Sequence, residues 1–127
     1  MKKFFYLETC NTCQRILKEI NLDAGVELRE IKSQPLSEDE VDSLKAKSGS
    51  YESIFSKRAR KYRELGLNEM DLKEEDYRKY LLTDYTFLKR PVLETADQAI
   101  ASNSKKQVEI MKTLTWPNWI TIPDEIS

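Results

Sequence analysis

The sequence predicts an α/β fold, and three observations support this prediction. A strand-like segment, an amphipathic helical segment and a second strand-like segment fit into roughly the first 32 residues. The middle of the chain, from about residue 36 to 83, has helical patterns and capping signals. Two short apolar segments and a last helical segment follow. The predicted order is therefore β-α-β, inserted helices, then β-β-α.

The first strand and the first helix are predicted from residue type and spacing. Residues Lys2–Glu8 are rich in aromatic side chains and contain no glycine or proline, which is typical of a strand. From Cys10 to about Asn21, apolar residues recur at helical spacing. Side-chain oxygens that can cap this helix are present at its start, on Thr9, Asn11 and Thr12. We therefore expect a helix that begins directly after the strand.

The second strand is predicted to follow Gly25, which interrupts the helical pattern. Residues Val26–Lys32 have an approximate alternation of apolar side chains, at Val26, Leu28 and Ile31. This segment completes a βαβ unit, and crossovers of this kind are almost always right-handed.

The helical middle begins with a capping-box pattern. Ser37 and Glu40 have the required spacing, so we expect a helix from Ser37 to about Lys47, ended by Gly49. Residues 51–67 form a basic segment that predicts more helix.

That basic segment has an interruption near Ser56 and a stop at Gly66. Residues Lys73–Leu82 predict a further helix. The inserted region is thus expected to be helical throughout.

The end of the domain is predicted as a hairpin and a helix. Residues 87–95 (FLKRPVLET) and 98–102 (QAIAS) are short apolar segments that can pair. Ser104 and Gln107 predict the cap of a last helix that runs to about Leu114. This order of elements is the thioredoxin arrangement with helices inserted after the second strand. We expect one domain over residues 1–114, an insertion at about 36–83, and a C-terminal tail, 115–127, that packs on its surface.

Composition excludes several classes of function. The 127 residues have a formal net charge of −1, which favours neither nucleic acid nor an acidic membrane surface. No stretch approaches the roughly 18 apolar residues of a membrane span, and the apolar run near the start is too short for a signal peptide. We therefore expect a cytoplasmic protein with no direct nucleic-acid or membrane partner.

The two cysteines of the chain lie three residues apart in Glu8-Thr9-Cys10-Asn11-Thr12-Cys13-Gln14-Arg15. A structural zinc site needs about four ligands, and the chain has no histidine, so no metal is expected unless two chains share one. A structural disulfide is unusual in the cytoplasm. Cys10 at a helix N-terminus favours the thiolate, and Cys13 lies one turn further on. The pattern therefore predicts Cys10 as nucleophile and Cys13 as resolving thiol, with two inert cysteines as the alternative.

Three motifs resemble the arsenate reductase-like (ArsC) family, which includes the Spx-type transcriptional regulators. They are Cys10-Asn11-Thr12-Cys13, the segment FSKRARKYRELGL, and the segment LKRPVLET, and the resemblance covers roughly residues 3 to 114. It implies a thioredoxin-like fold and a Cys10 that attacks an oxyanion. It also implies that Arg58 and Arg90 bind the oxyanion and that Pro91 follows a cis peptide bond beside the cysteine. Spacing alone allows Arg60 as well as Arg58, and the motif favours Arg58. Arginine suits this task because its planar donors stay charged.

The resemblance implies a function and its partners. The chain is expected to be a thiol-dependent oxidoreductase of the arsenate reductase class, acting on a small oxyanion or a disulfide without a bound cofactor. Cys13 or an external thiol, from glutathione and glutaredoxin or from thioredoxin, would release the product. The alternative is an Spx-like redox-sensing regulator, in which Cys10 and Cys13 form a switch and the partner is the RNA polymerase α subunit. A degenerate member, either a generic disulfide reductant or non-catalytic, is a third reading.

Two positions depart from the arsenate reductase pattern. Asn103 stands near the place of a third arginine, and Gln14 stands where an arginine often follows the catalytic cysteine. Both changes weaken the expected oxyanion site and motivate the alternatives. Gly49 lies near the glycine with which Spx-type proteins contact their partner, although a turn residue explains it equally well.

Overall fold

The computed structural model describes residues 2–20, 25–102 and 104–115. Its centre is a four-stranded mixed sheet in the order β2-β1-β3-β4. The strands are β1 (Lys2–Tyr6), β2 (Val26–Glu30), β3 (Val92–Glu94) and β4 (Ala99–Ala101). The helices are α1 (Asn11–Glu19), α2 (Glu38–Ser48), α3 (Arg60–Glu64), α4 (Glu74–Thr83) and α5 (Lys105–Leu114). Short 3₁₀ turns lie at Glu52–Ile54, Leu67–Glu69 and Tyr85–Phe87.

The strands are parallel or antiparallel as the predicted order of elements along the chain implies. β1 pairs in parallel with β2, while β1 with β3 and β3 with β4 are antiparallel. Helices α2, α3 and α4 all fall between β2 and β3. This arrangement is the α/β fold that the sequence predicts. Within the described part of the chain, every helix is too short or too polar to span a membrane.

The sheet separates two hydrophobic cores. Because side chains alternate along a strand, Phe4 and Phe5 of β1 point to opposite faces, and both are fully buried. Phe4 packs with residues of α1, β3 and α5, on what we call the α1–α5 face: Ile16, Ile20, Leu93, Val108 and Met111. Phe5 packs with the inserted helices, on what we call the insertion face, in a larger core that includes Val41, Leu44, Phe55, Tyr77, Leu81, Phe87 and Val92.

Several local predictions are confirmed. Ser37 Oγ accepts from the Glu40 N–H at 3.2 Å, and Glu40 Oε1 accepts from the Ser37 N–H at 3.0 Å, which is the expected capping box. Gly49 and Gly66 both adopt the left-handed conformation, with φ of 106° and 71°. Ser104 caps α5 by accepting from the Gln107 N–H at 3.3 Å. Each signal depends on neighbours in the sequence alone.

The predicted basic helical segment over residues 51–67 is interrupted near Ser56 and stops at Gly66 as expected, but it contains much less helix than predicted. The segment forms a 3₁₀ turn, an extended piece at Phe55, and only the five residues of α3. Phe55 forms an isolated antiparallel bridge with Leu88, and the Ser56 N–H donates to Phe87 O at 2.7 Å. The Lys89 N–H donates to Ile54 O at 2.9 Å. Pairing with a distant segment therefore overrides local helix propensity.

Two smaller expectations also fail. The N-cap residue of α1 is Cys10, and no side-chain hydrogen bond caps this helix, so the expected capping by Thr9, Asn11 or Thr12 is wrong. The predicted second strand is present but ends at Glu30 rather than Lys32, and its apolar residue Leu28 is 41% exposed. An edge strand has one open side, which leaves such positions in solvent.

Side chains of α2 and α4 hold the loop between α2 and Phe55. Glu74, the first residue of α4, accepts from the backbone N–H groups of Tyr51 at 2.8 Å and Glu52 at 3.2 Å. The Tyr51 hydroxyl donates to Asp42 of α2 at 2.6 Å, and Arg78 of α4 donates to the same carboxylate at 2.8 Å. The loop is thus fixed at both its backbone and its side chains.

Candidate active site

A cleft of about 890 Å³ opens at the start of α1. Its volume lies within the roughly 300–1,000 Å³ of typical small-molecule sites. Cys10 lines it together with residues from the insertion and from the end of the sheet. The charged and polar members are Thr12, Ser50, Glu52, Ser53, Ser56, Lys57, Arg58, Lys89, Arg90, Ser102 and Ser104.

Cys10 sits at the point where the chain leaves β1 and enters α1. Its N–H donates to Leu7 O and its carbonyl accepts from the Gln14 N–H, each at 3.0 Å. The Gln14 side chain also donates to Glu8 O at 2.9 Å, which ties the first turn of α1 to the preceding loop. As N-cap, Cys10 places its sulfur beside unpaired N–H groups at the positive end of the helix.

The pKa of Cys10 is lowered from its ordinary value of 9.0. Partial burial is the largest single influence and would raise it. The N–H groups of Cys13 and Thr12, the Cys13 thiol and the charge of Arg90 together outweigh burial. A larger fraction of Cys10 is therefore thiolate at neutral pH, which is the nucleophilic form.

Cys13 has the opposite environment. It is fully buried, and burial is the main cause that raises its pKa to about 11. The adjacent Cys10 raises it further, through both a hydrogen bond and its charge. Both cysteines are free thiols here. Cys13 is therefore a protonated donor that stabilises the neighbouring thiolate.

Arg90 reaches the cleft from the loop before β3. The Arg90–Pro91 peptide bond is cis, as the resemblance implies, and Pro91 is buried. Arg90 Nη1 is buried without a hydrogen-bond partner among the residues that the structure describes. A buried unsatisfied donor of a charged group is costly, and an anion in the cleft would supply its acceptor.

Arg58 lies in the turn that precedes α3 and is exposed. It therefore does not sit on the basic helix that the sequence suggested. The Phe55–Leu88 bridge brings its segment beside that of Arg90, so both arginines line the cleft with Cys10. The structure thus brings together all three of these predicted site residues, although they are far apart in sequence.

Sequence reasoning missed several residues that line the cleft. Lys89 precedes Arg90 directly, and this adjacency to a predicted site residue was the available signal. Glu52 accepts from Lys57 Nζ at 2.6 Å, so that ion pair lies at the cleft as well. The serines carried no signal, because their places depend on the fold of the insertion.

Two remaining expectations concern a metal site and the residues outside the described part of the chain. Across residues 2–20, 25–102 and 104–115, no cluster of three or more candidate ligands could hold a metal ion. Asn103, Trp116, Trp119 and the tail beyond residue 115 lie outside the described residues. The expectations for these positions therefore stay predictions.

The chain was compared with known proteins. The model of the ArsC family matches residues 5–111, while a search of curated proteins gave no match. Among solved structures, the arsenate reductase from Vibrio cholerae is 16% identical, with a TM-score of 0.73 over 87% of this chain and 96% of that chain.

Two further structures are similar. The possible arsenate reductase from Streptococcus mutans is 25% identical, with a TM-score of 0.64 over 79% of this chain and 87% of that chain. An arsenate reductase (ArsC) related protein from Brucella melitensis is 19% identical, with a TM-score of 0.66 over 86% and 92%. These likenesses confirm the predicted thioredoxin-like α/β fold.

Proposed function

Because the chain belongs to the ArsC family, we propose that it is a thiol-dependent reductase of the arsenate reductase class. The observation that carries the proposal is a cysteine with a lowered pKa beside a buried, unpaired guanidinium nitrogen of Arg90 in one cleft. The Cys10 thiolate reacts with an electrophile, and the unpaired Arg90 nitrogen lacks a hydrogen-bond acceptor among the described residues. A tetrahedral oxyanion satisfies both requirements.

The first step is attack by the Cys10 thiolate on As(V). A sulfur–arsenic bond forms, and one oxygen of arsenate leaves as water after protonation. Arg90, and Arg58 from the rim, neutralise the oxyanion charge as it approaches the sulfur. No change of oxidation state occurs in this step.

The second step is attack by another thiolate on Cys10 Sγ. The new sulfur–sulfur bond forms as the sulfur–arsenic bond breaks, and arsenic keeps the electron pair and leaves as arsenite. Two thiols are thereby oxidised to one disulfide while arsenic gains two electrons. The same scheme serves a disulfide substrate, with a thiol in place of arsenite as the leaving group.

The second thiol comes from Cys13 or from outside. Cys13 is buried and protonated in the resting site, which favours an external thiol. Once Cys10 is bonded to arsenic, its negative charge no longer raises the pKa of Cys13. Burial, the larger cause, still does, so the internal route becomes easier but keeps this barrier. Glutathione with glutaredoxin, or thioredoxin, would then reduce the disulfide, and such a cycle suits the reducing cytoplasm.

The experiment is arsenate-dependent NADPH oxidation, coupled in turn through glutaredoxin with glutathione and through thioredoxin. We expect turnover that Cys10→Ser abolishes, and Cys13→Ser separates the two resolving routes. Retained turnover with glutathione in Cys13→Ser would assign resolution to the external thiol. Unchanged turnover in Cys10→Ser would refute the proposal.

A second candidate is a redox-sensing regulator that resembles Spx and binds the RNA polymerase α subunit. The mutual effect of the two thiols supports this candidate, since Cys13 lowers the pKa of Cys10 and Cys10 raises that of Cys13. Gly49 gives it no separate support, since this residue is explained as the left-handed C-cap of α2. Absence of arsenate turnover, together with α-subunit capture that depends on the redox state, would favour this candidate.

A further inference from the structure

Lys89 stands out among the cations of the cleft because of its partners. Lys57 is held by Glu52 at 2.6 Å, and Arg90 acts on the Cys10 sulfur. Lys89 lines the same cleft, is half-buried, and makes no side-chain hydrogen bond or ion pair with any described residue. Its position is well fixed, because its backbone N–H donates to Ile54 O beside the Phe55–Leu88 bridge.

The charges of Lys89 and Arg90 act at different places in the cleft. Arg90 lowers the pKa of Cys10, whereas Lys89 acts on Glu52, whose pKa is lowered mainly by Lys57 and to a smaller extent by Lys89. An oxyanion bonded to Cys10 would lie near Arg90. Lys89, which lines the same cleft and acts on Glu52, would then border cleft space that the bonded group does not fill.

That remaining space is large. A cleft of about 890 Å³ is of the size that holds drug-sized ligands, so a tetrahedral oxyanion on Cys10 would leave much of it open. The thiol that attacks Cys10 Sγ must enter through this space. An ammonium group that lines this path without forming an ion pair to a described residue attracts carboxylates on that thiol and has no such attraction for an uncharged thiol.

We propose that Lys89 is a specificity-determining residue that favours carboxylate-bearing thiols as the reagent that resolves the Cys10 adduct. The inference rests on the proposed role of Cys10 as nucleophile. In the step concerned, the incoming thiolate forms a bond to Cys10 Sγ, and the group previously bonded to that sulfur leaves with the electron pair. Lys89 takes no part in bond making and only raises the local concentration of the anionic reagent.

The test uses the Cys13→Ser background, which leaves Cys10 as the one cysteine of the chain. Ellman's reagent converts Cys10 to a mixed disulfide with thionitrobenzoate, which stands in for arsenic as the leaving group. Attack of a thiol on Cys10 Sγ releases the coloured thionitrobenzoate anion, which stopped-flow absorbance follows. Mercaptosuccinate is the anionic probe, and mercaptoethanol is the neutral one.

We expect Lys89→Gln to slow release by mercaptosuccinate about threefold to fivefold and to leave release by mercaptoethanol nearly unchanged. Lys89→Arg should restore the rate, and high salt should reduce the difference between the variants. Lys79→Gln is the matched control, because it removes the same charge from an exposed lysine outside the cleft lining.

Three results would overturn the inference: equal slowing with both thiols, no slowing with either, or the same loss in Lys79→Gln. Equal slowing with both thiols would indicate a structural defect, and the same loss in Lys79→Gln would indicate an effect of net charge. The rate at which Ellman's reagent labels Cys10 separately tests its proposed role as nucleophile. If Ellman's reagent labels native Cys10 no faster than the unfolded chain, Cys10 is not an activated nucleophile, and both proposals fail together.

Discussion

The two faces of the sheet contribute differently to the cleft. The helices of the α1–α5 face supply Cys10 and Ser104, each as an N-cap residue. The Cys10 side chain itself packs against the core of the insertion face. The insertion face supplies the cations, which are positioned by pairing between segments about 30 residues apart, at Phe55 and Leu88. The position of Cys10 at a helix start thus depends on local structure, whereas its electrostatic environment depends on tertiary structure. Substitutions in the cores of the two faces should therefore differ in their effect on the pKa of Cys10.

The largest effect is expected for Phe55→Ala. Phe55 is 1% exposed, and its ring packs against Phe87, Tyr77 and Tyr62. Its loss should cost about 3–5 kcal/mol of unfolding free energy, measured by urea titration. Because the bridge to the Lys89–Arg90 segment is at this residue, the pKa of Cys10 should also rise, as read from the pH dependence of alkylation.

The matched variant on the other face is Met111→Ala. Met111 is fully buried under the sheet, so we expect a loss of about 2–5 kcal/mol. Here the Cys10 alkylation profile should stay the same in the folded protein. An equal shift of that profile in both variants would remove the distinction between the faces.

A smaller effect is expected in the pH dependence of the unfolding free energy, because of the buried Cys13 thiol. The pKa of Cys13 is raised from 9.0 to about 11, so folding favours its neutral form. Its contribution to stability is complete below the ordinary pKa and is lost as pH rises from about 9 to about 11. The loss should be on the order of 2 kcal/mol. Urea unfolding across this range should show less alkaline destabilisation in Cys13→Ala than in the wild type; parallel curves would contradict the prediction.

The smallest effects are expected for one cap on each face. Glu74→Ala removes the acceptor of two backbone N–H groups in the loop between α2 and Phe55. Ser104→Ala removes the cap of α5. Each should cost about 1 kcal/mol in urea unfolding. Only Glu74→Ala should also weaken the preference for an anionic thiol over a neutral one, because only that loop leads into Ile54 and Phe55, which pair with the segment of Lys89. A change of preference in Ser104→Ala alone would reverse the assignment of the two faces.

Sequence reasoning reached the parts of this protein that are encoded by neighbouring residues. The capping box at Ser37, the left-handed turns at Gly49 and Gly66, and the strand order follow from short-range rules and common connection rules. The position of Cys10 at a helix start was accessible for the same reason.

The missed features depend on distant pairing. Residues 51–67 look helical because basic and long side chains favour helices, but the backbone groups around Phe55 pair with the Leu88 segment instead. Without that pairing, only the adjacency of Lys89 to Arg90 in the sequence indicates that Lys89 shares a cleft with Cys10. Arg58 was assigned through the family resemblance, since its spacing alone left Arg60 as an equal choice.

The contribution of Arg90 to the acidity of Cys10 has a consequence for biosynthesis. The two residues are 80 positions apart in the chain, and a ribosome makes the cysteine long before the arginine. During that interval the thiol lacks one of the charges that lower its pKa, so it is closer to an ordinary cysteine in reactivity. The full lowering of the Cys10 pKa therefore arises only when β3 joins the sheet beside β1, so the thiol of the growing chain is less acidic than that of the folded protein.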